Sequence, residues 1–214
     1  QAINLTLQFA PTEGRNYSAT LNIEDNLNSD FTNVITLEGI GYDATIYPGF
    51  NYDMIGDFPP AGWRKFAGNI TMGNPTPSTS ANWYHGKFGN NPDLPENNSA
   101  AFRLVAIANY QWLMTPPIDL GESAQDYQLK FDLAFTADNG TGPATIGNGQ
   151  KFGVVVSLDG GLTWSKNNVL QWWNSSTPVS NIGETVIIDL NGYSGRMMMA
   201  FYAESTVVVP SGRL

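Results

Sequence analysis

A chain of 214 residues with 42% hydrophobic and 12% aromatic content can bury a true core, so neither disorder nor a disulfide framework is needed to account for it. It has no cysteine, which removes disulfides and thiolate metal sites, and only 14% of its residues are charged against about 25% in an ordinary soluble domain. Ten basic against nineteen acidic residues leave a formal charge of -9 that repels phosphate backbones and anionic lipid, and no apolar run nears the roughly 18 residues of a membrane span; the expectation is no nucleic acid and no membrane insertion.

Glycine and asparagine each number 22, a balance that favours turns and strands over helices. Helical periodicity is almost missing, whereas alternation with period two recurs, so the chain reads as all-β. The length suits one large domain or two smaller ones, and two is the working expectation.

Residues 1–45 hold three short strand candidates, around Leu5 to Phe9, Ser18 to Ile23 and Val34 to Gly39. An immunoglobulin-type sandwich needs about seven strands, so this segment reads as the C-terminal part of a β-domain. Phe9-Ala10-Pro11, Gly14, the strand Ser18 to Ile23 and the closing Ile35-Thr36-Leu37-Glu38-Gly39-Ile40-Gly41 resemble the end of the immunoglobulin-like repeats of choice-of-anchor D and abnormal-spindle-like proteins. A linker is expected between Tyr42 and Gly49.

Residues 46–214 form the second expected domain. Tyr52-Asp53, Asp57-Phe58-Pro59-Pro60-Ala61-Gly62-Trp63, Trp112 to Leu120, the strand Leu129 to Phe135 and the run Val154 to Trp164 follow one another in the order seen in a known domain. Together they resemble the cleaved-adhesin or choice-of-anchor J family, antiparallel jelly-roll sandwiches related to MAM domains. That resemblance implies a secreted or cell-surface bacterial protein of several domains and a non-catalytic role in adhesion or glycan binding. It also implies a structural calcium ion, for which Asp53, after Tyr52, matches the ligand in the first strand. The family's last strand, with paired acidic residues of the form Ile-Asp-Asp-Val, has no counterpart before Leu214. The expectation is therefore a jelly roll without its last strand, whose open strand edge receives a neighbouring domain or chain.

Strand alternation is cleanest at Gln128 to Phe135, where Leu129, Phe131, Leu133 and Phe135 share a face. The same pattern places Phe152, Val154, Val156 and Leu158, then Val186, Ile188 and Leu190, then Met197, Met199 and Phe201, inside. Between them, Ser157-Leu158-Asp159-Gly160-Gly161-Leu162-Thr163-Trp164 fits the Asp-box pattern S-x-D-x-G-x-T-W. Its mechanics are structural: Asp159 accepts turn N–H groups, two glycines supply positive φ, and Trp164 tucks under the hairpin. A sialidase propeller would repeat the box blade by blade, and this chain has one.

Two aromatic clusters are candidate ligand sites. In Trp172-Trp173-Asn174, neighbouring strand residues point to opposite faces, so one indole fills the core and the other lies near the surface, where a flat ring beside an amide suits a sugar. Trp83-Tyr84-His85 poses the same choice. The partner implied is a glycan or a cell-surface protein. His85 is the only histidine, no Gly-x-Ser-x-Gly elbow exists, and no strand alternates carboxylates as Glu-x-Asp-x-Glu, so the expectation is no enzyme. The competing readings are a structural spacer or targeting domain beside an enzyme elsewhere in the polypeptide, and a jelly-roll glycosidase. Six Asn-x-Ser/Thr sequons, at Asn4, Asn16, Asn69, Asn97, Asn139 and Asn174, bear on glycosylation only in a eukaryotic secretory setting.

Overall fold

The computed structural model describes residue 7 and residues 16–23, 33–40, 48–79, 82–96, 98–105 and 107–206. The chain divides into two compact units, Gln1–Ala44 and Thr45–Leu214. Among the described residues there is no α-helix; strands and two short 3-10 turns carry the fold. The expected all-β class is what the structure has.

In the first unit β1 (Asn16–Ile23) and β2 (Asn33–Ile40) pair antiparallel in unbroken register, from Asn16 opposite Ile40 to Ile23 opposite Asn33. Apart from Leu7, which is exposed and outside any strand, the Leu5 to Phe9 candidate lies outside the described residues, as do Gly41, most of the 42–49 linker and the sequons at Asn4 and Asn97.

The second unit contains β3 (Arg64–Ala67), β4 (Thr76–Pro77), β5 (Tyr84–Gly86), β6 (Ser99–Ala101), β7 (Asn109–Met114), β8 (Ile118–Asp119), β9 (Gln128–Leu133), β10 (Gln150–Ser157), β11 (Val169–Trp173), β12 (Glu184–Asp189) and β13 (Arg196–Ser205). Seven of them form one sheet in the order β11-β10-β13-β7-β3-β4, with β8 joined to the start of β13. The pairs β9–β12 and β5–β6 stand apart from it as separate two-stranded sheets.

Register assigns the faces. Phe201 lies opposite both Val154 and Leu113, and Met199 lies opposite Val156, so with Met197 and Ala203 they make one face of the large sheet, the inner one. Against it β9 and β12 bring Leu129 opposite Ile188 and Phe131 opposite Val186, while Lys130 and Asp132 point away. Val154, Trp173, Val186 and Ile188 are buried in a common cluster that Leu129, Phe131, Leu133 and Phe201 complete. The result is a β-sandwich, one wide layer faced by narrow ones.

Two expectations need refinement. Leu129, Phe131, Leu133 and Phe201 point inward but are only half-buried, because a cavity adjoins them. And β10 and β13 do not have one solvated face: Val155, Met198, Ala200 and Tyr202 are fully buried on the outer side. Trp172 of β11 covers that side together with Trp164 and Ile70 from segments outside the sheet. The unbroken apolar runs Val154-Val155-Val156 and Met197-Met198-Met199-Ala200 are the sequence mark of strands covered on both faces. Leu158, taken as the last inward residue of β10, is exposed because the strand ends at Ser157 and the Asp-box turn begins.

Half-burial sets an expected ranking of costs. Trp173→Ala removes a side chain that is 2% exposed and is expected to cost about 3–5 kcal/mol, whereas Phe131 is only half-buried and Phe131→Ala is expected to cost about 1–3 kcal/mol. Urea denaturation of the two variants checks this; equal losses would mean that Phe131 is as enclosed as Trp173.

Candidate functional site

The narrow layers leave a cavity of about 1510 Å³ over the inner face of the large sheet. Its walls are aromatic. Tyr52 meets Trp63 edge to face at 5.0 Å, Trp63 lies parallel to Phe201 at 6.2 Å, and Phe201 lies parallel to Phe152 at 6.2 Å. Trp83 closes the set, 5.5 Å from Phe102 and 6.4 Å from Phe152. These side chains come from the 50–63 segment, from Trp83 just ahead of β5, from Phe102 just past β6, and from β10 and β13.

Two polar atoms in this wall are unanswered. The indole Nε1 atoms of Trp63 and Trp83 are buried with no hydrogen-bond partner. Each such donor costs about 1–3 kcal/mol in an apolar setting. The Tyr52 hydroxyl is near enough to feel the Trp63 indole but not at hydrogen-bond geometry; burial raises the Tyr52 pKa above its ordinary value, and the indole offsets part of that rise. Trp83 is the cleaner orphan of the two.

The mouth has the opposite character. A second depression of about 820 Å³ adjoins the cavity and shares Tyr84, Lys87, Asn90, Arg103, Val105 and Asn139 with it. Tyr84 is 43% exposed. Arg103 bridges to Asp138 through Nε at 2.9 Å and donates to Asn139 Oδ1 as well. Lys87 pairs with Glu96 at 2.7 Å. Asn90 donates from Nδ2 to Thr136 Oγ1 at 2.7 Å and to the Gly140 carbonyl at 2.9 Å, tying down the 136–143 loop. That loop closes on itself through Ala137 N–H donating to the Gly142 carbonyl, so Asp138 to Gly142 is a turn whose carboxylate serves an ion pair.

Of the residues expected to bind ligand, Trp83, Tyr84 and Trp173 line the large cavity, and so does Asp53. Trp173 is 2% exposed and meets Phe152 at 5.3 Å and Phe131 at 6.1 Å, which makes it core wall more than platform. Trp172 and Asn174 are not part of that lining. Trp172 lies on the outer face, where a Cβ at Gly153 would come within 2.5 Å of its ring, and Lys151 Nζ stands 5.1 Å from the ring centre. Asn174 Oδ1 accepts from the Ser176 N–H at 2.9 Å. Opposite faces for neighbouring tryptophans were thus foreseeable; the surface one is already occupied by its neighbours.

Among the described residues, Asp53 has no further carboxylates beside it that would complete a calcium cage. Asp53 Oδ1 accepts from the Ile55 N–H at 3.0 Å, and no group of three or more His, Asp or Glu side chains suited to a metal occurs among the described residues. Calcium takes six to eight oxygens. His85 is tied as well: its Nε2 bonds the Met54 carbonyl and its ring lies 5.3 Å from Phe58.

The outer face carries a buried polar chain. Tyr202 donates to Glu204 Oε2 at 2.7 Å, and Glu204 Oε1 pairs with Lys151 at 2.9 Å. Burial, and then the Glu204 carboxylate, push the Tyr202 hydroxyl far above its ordinary pKa, so it stays a donor at any accessible pH.

The Asp-box turn behaves as its chemistry dictates. Asp159 Oδ1 accepts from the Ser157 hydroxyl at 2.6 Å and the Thr163 N–H at 2.9 Å, and Oδ2 accepts from the Thr163 hydroxyl at 2.6 Å. Gly160 and Gly161 have φ of 71° and 98°, values strained for any residue with a Cβ. Trp164 tucks beneath, 5.5 Å from Trp112, with Nε1 donating to the Gly161 carbonyl at 3.2 Å. Asn74, from a distant loop, clamps the turn by accepting from Trp164 N–H at 3.0 Å and donating to the Leu162 carbonyl at 2.7 Å.

No known family model, characterised protein or solved structure matches the chain.

Burial acts to raise the Asp159 pKa, and hydrogen bonds from Ser157, Thr163 and the Leu162 N–H outweigh it, holding the carboxyl below its ordinary value. A carboxyl depressed on folding stabilises the fold above its unfolded pKa and loses that contribution as pH falls through the folded one. Asp159→Ala is therefore expected to cost about 1 kcal/mol at neutral pH, at the low end for an exposed turn. The gap to the parent should close as pH drops below about 4. Thermal melts at stepped pH check this, and a pH-independent gap would contradict it.

Proposed function

We propose that the second unit is a jelly-roll binding module of the adhesin type, non-catalytic, which takes a glycan into the cleft between Tyr84, Arg103 and the aromatic wall. The observation that carries this reading is the pairing of an aromatic interior with a mouth of amides, a guanidinium and a phenol in one concave site. Aromatic rings suit the apolar faces of sugar rings, while Asn90, Asn139 and Arg103 suit hydroxyls. A non-catalytic role agrees with the fate of the ionisable groups at the mouth, since Glu96 and Asp138 sit in ion pairs and His85 holds a backbone carbonyl. Adhesion places the protein outside the cell, secreted or surface-anchored, as part of a longer polypeptide. Neighbouring domains or chains would reach it through the outer edges of β11 or β4, the end strands of the large sheet.

A glycan array probed with the intact chain tests the reading. Tyr84→Ala and Arg103→Ala are each expected to weaken the best glycan by about tenfold, equivalent to roughly 1.4 kcal/mol, with little change in melting temperature. A chain that retains no glycan would be a spacer or a targeting domain, and the proposal would fail.

A further inference from the structure

Three lengths of chain line the large cavity residue by residue, 48–54, 98–105 and 126–139. Successive residues of an extended chain point to opposite faces, so an unbroken run in the lining means that a backbone edge borders the space. For β9 that edge follows from its register. The Leu190 N–H donates to the Tyr127 carbonyl at 2.8 Å, so hydrogen bonding to β12 falls on Tyr127, Leu129, Phe131 and Leu133, and the N–H and C=O groups of Gln128, Lys130 and Asp132 point the other way. Nothing among the described residues pairs with them. The 48–54 segment is likewise in no strand, and no backbone–backbone hydrogen bond joins it to a neighbour among the described residues.

The floor of the cavity is mainly apolar, with Leu113, Ile118, Leu120, Met199 and Phe201. An unpaired edge over such a floor fits an extended strand with an apolar residue at every second position, whose backbone pairs with β9 and whose apolar face covers the floor. β9 offers six residues of edge, about 20 Å at roughly 3.3 Å per residue. The sequence holds a segment of that chemistry: Ile3-Asn4-Leu5-Thr6-Leu7-Gln8-Phe9 alternates over its whole length and carries no charge. Leu7 is 52% exposed and in no strand, so the single chain leaves that residue unseated. β1 and β2 offer it no seat of equal depth, since no side chain described in either is buried.

We infer that residues 3–9 of a second copy enter the cavity as a strand along the free edge of β9. Ile3, Leu5, Leu7 and Phe9 lie on the floor, while Asn4, Thr6 and Gln8 face outward beside Gln128, Lys130 and Asp132. Copies then join head to tail, because the segment and its seat are different surfaces of one chain. β9 sets this seat, and Tyr84 and Arg103 set the glycan site, so either can fail without the other.

The test uses the intact, ¹⁵N-labelled chain, a full-length variant carrying Leu5→Asp and Leu7→Asp, and an acetylated peptide of residues 2–10. In sedimentation equilibrium the parent is expected to gain mass with concentration and the variant to stay monomeric. The variant keeps the seat, so the peptide is expected to bind it and to slow amide exchange at Lys130 and Asp132 by at least about tenfold, leaving Leu129 and Phe131, already bonded to β12, unchanged. A peptide of the same composition with its apolar and polar residues grouped is expected to bind at least about tenfold more weakly. Unchanged exchange at Lys130 and Asp132 under excess peptide overturns the seat, and equal binding of the grouped peptide overturns strand pairing. A parent that stays monomeric at every concentration overturns the second copy, whether or not its own 3–9 amides are protected. If the variant does not fold, the parent decides: excess peptide is expected to dissociate it to monomers, and an assembly that persists overturns the inference.

Discussion

The second unit depends on β13 being buried on both faces. This ten-residue strand is hydrogen-bonded by β10 along one edge and by β7 along the other, and Met197, Met198, Met199, Ala200, Tyr202 and Ala203 are all at most 5% exposed. At roughly 25 cal/mol per Å² of apolar surface removed from water, such a strand dominates the driving force of its sheet. It also forces every neighbour to choose a side. Val154 finds cover from β9 and β12 and Leu113 from Trp63 and Trp83, while on the other side Tyr202 packs with Trp172 and with its cross-strand neighbour Trp112.

The two sides solve that requirement differently. On the outer side, Trp164 and Trp172 meet Trp112 and Tyr202 edge-on; the ring of Trp172 takes the space a Cβ at Gly153 would need, and Glu204 is held between Tyr202 and Lys151. The Glu204 carboxylate is the buried member of this chain, while the Lys151 side chain is 44% exposed, so the cost of breaking the chain falls on Glu204. On the inner side the cover is two separate pairs of strands while the sheet beneath has seven, and separate pairs cannot tile it without a gap. The cavity follows from that mismatch. Its floor, with Leu113, Phe152, Met199 and Phe201, is the same inner face that β9 and β12 bury elsewhere.

Much of this was legible in the chain. Period two at Leu129, Phe131 and Leu133 marked an amphipathic cover strand, and the Asp-box marked a turn whose hydrogen bonds are local and therefore set by spacing alone. The double burial of β10 and β13 was written in the valine and methionine runs, but alternation was the stronger template and concealed it. The cleft was only half legible. Trp83 and Tyr84 drew notice as an aromatic pair, whereas Trp63 stood out merely as part of a Gly-Trp motif, Asn139 only as a sequon, and Arg103 and Asn90 had no signal of their own. They meet through contacts 36 to 50 residues apart in sequence, which no local pattern encodes. Asn74 escaped notice for the same reason, being 88 residues from the Leu162 carbonyl it holds.

The order already present at the mouth bears on how such a site binds. Arg103 is fixed by Asp138 and Asn139, Lys87 by Glu96, and Asn90 by two acceptors of the 136–143 loop. Long side chains lose on the order of 1 kcal/mol each when an incoming ligand must immobilise them, and here most of that loss has been met in folding. The remaining hydrogen-bond capacity is what a ligand sees: the other guanidinium N–H groups, the exposed Tyr84 hydroxyl and the free lone pairs of the amides. Inside, the wall is held by parallel and edge-on aromatic contacts that leave little rotamer freedom to lose. The rim is therefore ordered before any ligand arrives, and the side chains that hold it are fixed by one another instead of by what they meet.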